Sequence, residues 1–192
     1  MGAILQSLGR TVAAGVVLLV ILLLAVSSAK YDHAWGAFFM RYLHVLSGVM
    51  WIGLLWYFNF VQIPSMPKIP DEQKPAVGKV IAPTALFWFR WAALATVVTG
   101  ALLAWMNGYL LQALSLQRPF TAIGIGAWLG LIMAFNVWFI IWPNQKKALG
   151  IVTVTPEEKP KAARLAMLTS RINTALSIPM LFCMVAQQNN GL

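Results

Sequence analysis

Residues 42–63 read YLHVLSGVMWIGLLWYFNFVQI, an unbroken run without a single charged side chain. As a helix it would rise about 1.5 Å per residue and so match the roughly 30 Å hydrocarbon thickness of a bilayer. The same reading extends along the chain. Thr11–Ala29 and Thr121–Trp142 carry no charge, Thr84–Met106 carries only Arg90, and about Leu168–Ala186 carries only Arg171. Backbone N–H and C=O groups in hydrocarbon must bond within their own segment, which for runs of this length means helices. The expectation is an all-α, polytopic membrane bundle of five transmembrane helices, forming one domain over residues 1–192.

Composition agrees. Of 192 residues, 60% are hydrophobic and 10% charged, against about 45–50% and 25% in soluble domains. That balance excludes a soluble enzyme or a nucleic-acid binder as the leading reading, although the net charge is +9. The basic residues lie in short loops between apolar runs. Arg10, Lys68, Lys74, Lys79, Lys146, Lys147, Lys159, Lys161 and Arg164 fall on one side, and Lys30, Arg41 and Arg118 on the other. Nine against three places the N-terminus inside and the C-terminus outside. For a bacterial chain this means the inner (cytoplasmic) membrane, crossed several times. The first run also has features of a signal peptide, with Arg10 before it and Ser27-Ser28-Ala29 as a small-residue cleavage site. Its length exceeds the usual apolar core of about 7–15 residues, so a retained helix is expected. One cysteine, Cys183, excludes an intrachain disulfide, a CxxCH haem attachment and a multi-cysteine metal site.

Both basic loops are rich in proline and acid: Pro70-Asp71-Glu72-Gln73-Lys74-Pro75 and Pro156-Glu157-Glu158-Lys159-Pro160. Thr155 and Glu158 have capping-box spacing, with Pro156 at the first helical position. A weak internal repeat is also visible. Asn59, Pro64 and Arg90 recur in order as Asn136, Pro143 and Arg171.

Two constellations could carry chemistry. On the second run, Gly48 lies about 40° from His44 around a helix and Trp51 about 20° on the other side. The stripe joins an imidazole, a gap and a large ring. A neutral imidazole can ligate haem iron, with Gly48 giving a flat macrocycle room. The residues alone favour His44 as a structural residue bonded to a neighbouring helix, with Ser47 and Gly48 as ordinary small contact residues. His33, eleven residues earlier, would be about 16 Å away and cannot serve the same iron. The second constellation is a polar layer near the basic ends of the runs: Asn59, Gln62, Arg90, Asn136, Arg171 and Asn173. No Asp or Glu lies within any run. The arginines therefore reach asparagine carbonyls, lipid phosphate, a haem propionate or an anionic substrate, or snorkel to the surface. Trp51, Trp88, Trp91 and Trp138 could wall a cofactor pocket or simply pack. No phosphate-binding loop, dinucleotide fingerprint, zinc-protease motif or nucleophile elbow occurs.

Four blocks in order carry a family resemblance: RYLHVLSGVMWIGLLWYFNFVQIP at 41–64, FWFRW at 87–91, FNVWFIIWPNQ at 135–145 and SRINTALSIPMLF at 170–182. Together they resemble the integral-membrane domain of bacterial membrane-bound urate oxidases, the urate hydroxylase type, over a four-helix core at about residues 40–186. The resemblance implies a helical membrane domain and oxidation of urate to 5-hydroxyisourate, with electrons leaving through a fused cytochrome c. This chain has no CxxCH and reads as a short form lacking that domain, so an oxidase of this kind needs a separate cytochrome c acceptor.

The expected function is thus a haem-associated redox protein that oxidises urate or passes electrons to a separate acceptor. Haem b would sit on His44 with Gly48 and Trp51, and Arg90, Asn136, Arg171 and Asn173 would bind the substrate or another anion. The alternative is a non-catalytic accessory subunit of a larger membrane complex, without cofactor. In both readings the chain lies in the lipid bilayer, with a membrane-protein partner or a second copy of itself.

Overall fold

The computed structural model describes residues 2–26 and 30–189. Among these every regular element is helical. Five helices are long and apolar enough to cross a membrane: α1 Leu8–Val26, α2 His33–Lys68, α3 Lys74–Met106, α4 Thr121–Ala148 and α5 Glu158–Ala186. Residues 1–36 and 37–192 are separate compact units. The first holds α1, none of whose residues is buried against protein. The cleavage-like Ser27-Ser28-Ala29 lies outside the described residues.

The helices outrun the apolar stretches. α2 begins at His33, which the sequence reading left in a loop, because the Asp32 carboxylate accepts a hydrogen bond from the Trp35 backbone N–H at 3.0 Å. Asp32 is thus an N-cap. At their basic ends α2, α3 and α4 continue past proline. Each does so through a wide turn with bonds to the fifth residue back: Ile63 N–H to Phe58 O, Ala82 N–H to Val77 O and Trp142 N–H to Val137 O. Pro64, Pro83 and Pro143 follow directly. A proline has no N–H and crowds the carbonyl four residues back. The wider turn accommodates the ring without ending the helix. The cap before α5 forms, with Glu158 N–H 3.3 Å from Thr155 Oγ1. Regular helix starts at Glu158 rather than Pro156.

Helices α2–α5 form an antiparallel four-helix bundle. Side chains tie each neighbour to the next. Phe58 of α2 meets Phe89 of α3 edge-on at 5.7 Å, and Trp91 of α3 meets Trp138 of α4 at 5.4 Å. α4 and α5 approach most closely. A Cβ on Gly126 would stand 3.0 Å from Cys183 Cβ. α5 closes on α2 through Asn59 and Ser170, 2.8 Å apart. Trp51, Leu55, Phe89, Met133, Val137 and Met180 fill the core, while leucines, valines and phenylalanines cover the outside. Lipid tails are as apolar as these side chains, so close packing and interhelical hydrogen bonds must hold such a bundle together.

At the end away from the basic loops, a short helix Leu110–Leu114 docks on the start of α4. Trp128 Nε1 donates to Leu114 O at 2.9 Å, and Tyr109 stacks on Phe120 at 4.9 Å. Burial holds the Tyr109 phenol above its ordinary pKa. Gln187 clasps this region from α5, accepting from Ile123 N–H and donating to Pro119 O, each at 3.2 Å.

Candidate functional site

His44 sits where α2 crosses α3. Its Nδ1 lies 2.9 Å from the Thr96 carbonyl oxygen. A carbonyl only accepts, so Nδ1 carries the proton and, in the neutral ring, Nε2 bears the lone pair. Thr99 Oγ1 stands 3.4 Å from the same nitrogen while donating to Ala95 O at 2.6 Å. The ring packs against Gly100, where a Cβ would fall 2.7 Å from His44 Cε1 and 3.0 Å from Nδ1. A side chain at this position would have to displace the imidazole. An N–H to carbonyl bond of this kind is what orients metal-bound histidines elsewhere. The donor chemistry of His44 therefore fits a haem axial ligand through Nε2.

The other two residues of that stripe are placed differently. The space beside Gly48 is taken by α3, with Thr96 Cγ2 at 3.8 Å from a built Cβ. That leaves contact distance for a methyl group and no slot for a macrocycle. Trp51 is 1% exposed and belongs to the core, about 10 Å further along α2. Its Nε1 has no hydrogen-bond partner. Of the four tryptophans considered for pocket walls, Trp88 and Trp91 are about half exposed and face outward.

Gly100→Ala is expected to displace the His44 ring and break its bond to Thr96. A shift in the histidine ring resonances by NMR, with the helix content of the chain unchanged, checks this.

The polar layer assembles on α5. Ser170, Asn173 and Ser177 recur at i, i+3 and i+7 and share one buried face. Asn59 Nδ2 donates to Ser170 Oγ at 2.8 Å and Trp56 Nε1 to Ser177 Oγ at 3.0 Å. Asn136 Nδ2 donates to Asn173 Oδ1 at 2.8 Å, and Asn173 Nδ2 to Met133 O at 2.9 Å. Asn136 and Asn173 thus satisfy each other. Three buried polar atoms nearby in sequence lack partners: Asn59 Oδ1, Gln62 Oε1 and Trp138 Nε1. All three belong to the wide turns before Pro64 and Pro143.

Of the predicted anion-binding residues, Arg90 and Arg171 part company. Arg90 is half-buried, its Cζ 3.8 Å from the centre of the Trp142 ring and 5.5 Å from that of Phe87. Arg171 is exposed on the outer face of α5, away from Asn173. In the repeat read from sequence, the two asparagines both bond to α5, but the two arginines have unlike settings. Arg90 also lies ten residues from Gly100 along α3, about 15 Å. His44 and Arg90 are two sites, not one.

Sequence reading missed Ser170, Ser177, Thr96 and Gly100. Small and hydroxyl residues at one-turn spacing inside apolar runs were the signal available.

Residues 109–190 match the urate oxidase N-terminal family. The match covers less than half of the chain, from Tyr109 through α4 and α5. It takes in the blocks at 135–145 and 170–182, and leaves those at 41–64 and 87–91 outside. The urate-oxidase-like stretch thus contains Asn136, Trp142, Arg171 and Asn173, while His44 and Arg90 lie before it. Comparison with curated proteins and with solved structures returned no match.

Proposed function

We propose that this chain is a multi-pass membrane protein of the urate oxidase type that carries haem b on His44. It would oxidise urate or pass electrons to a separate acceptor such as a cytochrome c, with its basic loops on the cytoplasmic side of a bacterial inner membrane. The observation that carries the haem reading is the 2.9 Å contact of His44 Nδ1 with the Thr96 carbonyl, which puts the lone pair of the neutral ring on Nε2, the atom that would hold the iron. When bound, haem supplies one-electron chemistry. Thr96 and Gly100 hold the imidazole in one tautomer and one plane. Arg90 supplies an anion-binding group at the other end of the bundle. The family match from residue 109 onward supports the relation to urate oxidases.

A second reading rests on the same contact. His44 packed on Gly100 is a complete helix–helix joint, as an accessory subunit of a membrane complex would need. A pyridine-haemochrome spectrum of the detergent-purified chain, expressed with ample haem, separates the two. Near-stoichiometric haem that is lost in His44→Ala is expected. A colourless wild-type chain, co-purifying with partner subunits, would leave the accessory reading. Haem retained by His44→Ala would move the ligand elsewhere.

A further inference from the structure

The environment of Arg90 is unusual for a cation in an apolar helix. The chain has five acidic residues, Asp32, Asp71, Glu72, Glu157 and Glu158, all outside the apolar runs. Among the described residues no carboxylate pairs with Arg90, and the one ion pair joins Lys74 to Asp71. Its contact with protein oxygen is long, 3.5 Å from Nη1 to Leu86 O. The guanidinium instead lies over the Trp142 ring at 3.8 Å. Lys146, one turn further along α4, brings its Nζ to 5.6 Å from the same ring. One indole therefore gathers two positive charges, held by cation–π attraction, and among the described residues no carboxylate pairs with either.

The surface around this pair is apolar and open. Phe87, Trp88 and Trp91 stand on α3 beside Arg90 and are 46%, 52% and 46% exposed. Trp142 and Lys146 lie at the basic end of α4, and Leu149 just beyond it meets the start of α3, where a Cβ on Gly78 would stand 3.9 Å from Leu149 Cδ2. Tryptophan and basic residues mark the headgroup level of a membrane-spanning bundle, where basic clusters attract anionic lipid. A free phosphate would use the two cations but leave the aromatic faces bare. A phospholipid uses both.

We propose that Arg90, Trp142 and Lys146 hold the phosphate of an anionic phospholipid whose acyl chain lies along Phe87, Trp88 and Trp91. Guanidinium pairs with phosphate through two parallel N–H bonds, and Lys146 adds a second charge from the loop side. The proposal rests on the reading of Arg90 as an anion-binding residue and identifies the anion as lipid rather than substrate.

Native mass spectrometry of the whole chain, released from nanodiscs of mixed phosphatidylglycerol and phosphatidylcholine, tests it. Wild type is expected to retain phosphatidylglycerol in preference to phosphatidylcholine. Arg90→Gln and Lys146→Gln are each expected to weaken that retention roughly tenfold, the scale of one charge-assisted contact. Arg90→Lys should lose less. Lys161→Gln, on the separate groove lined by Asn144, Lys147 and Glu158, should lose nothing. Lys146 lies outside the apolar run, so its variant remains informative if Arg90→Gln fails to fold. Equal retention of both lipids, or full retention in Lys146→Gln, overturns the proposal. Displacement of the lipid by millimolar inorganic phosphate overturns the lipid as the source of the anion. If Arg90→Gln changes urate consumption and not lipid retention, the lipid proposal falls and the anion-binding reading stands. If it changes neither, both fall.

Discussion

Gly124→Ala is expected to disrupt the packing of the short helix Leu110–Leu114 on α4 and lower the stability of the chain by roughly 3 kcal/mol or more. A Cβ at this position would fall 2.1 Å from the Ala113 carbonyl oxygen and 2.9 Å from Leu116 Cδ2. The first obstacle is backbone, and Ala113 is itself buried, so no rotamer change relieves it. The connecting segment must move away. That would pull on Leu114 O, which accepts from Trp128, and on Pro119 O, which accepts from Gln187. Gly53→Ala is the matched control. Gly53 is exposed and a Cβ there meets nothing within 4 Å, so helix propensity alone makes the change neutral or stabilising by up to about 1 kcal/mol. Thermal unfolding of both variants in one detergent, followed by tryptophan fluorescence, checks the pair. An unshifted midpoint for Gly124→Ala would mean that the docked helix contributes nothing to stability.

Asn173→Leu carries the second large effect. Asn173 is completely buried, accepts from Asn136 and donates to Met133 O. Leucine removes both bonds and leaves Asn136 Nδ2 without an acceptor in an apolar surround. Stranding a buried donor costs about 1–3 kcal/mol. Hydrogen bonds between helices in membranes average nearer 0.6 kcal/mol, because the separated helices find other partners. The geometry argues for the upper part of the range, since α4 and α5 pack too closely for water to replace the lost partner. Asn136→Leu with Asn173→Leu should recover part of the loss, because the stranded donor is then gone. A double-mutant cycle giving zero coupling would show that the two amides do not act as a pair.

The two candidate sites differ in how far the sequence revealed them. His44 was legible as a candidate because an imidazole inside an apolar run is rare and costly. Its tautomer was not, since Thr96 lies 52 residues away and supplies a backbone oxygen that any residue has. The room expected beside Gly48 was a statement about one helix. The neighbouring helix fills it. Asn136 and Asn173 were legible as polar residues in apolar runs, but their mutual bond removes them from an open anion site. Arg90 and Arg171 looked equivalent in sequence, each near the basic end of its run. Arg90 faces Trp142 and Arg171 faces outward, a difference set by the rotation of each helix about its own axis.

Five apolar runs and an all-helical chain were determined by the sequence alone, because span length and backbone satisfaction are properties of one segment at a time. The capping contact at Thr155 was legible for the same reason. The tertiary structure alone decided that prolines 64, 83 and 143 are absorbed in wide turns rather than ending their helices. It also decided that Asn59 meets Ser170 across 111 residues, and that two cations meet the ring of Trp142. Each of these depends on which helix lies beside which and at what rotation. The apolar outer faces of these helices are too uniform to encode that. The choice is made by small residues, polar pairs and aromatic contacts that exist only once the helices have met.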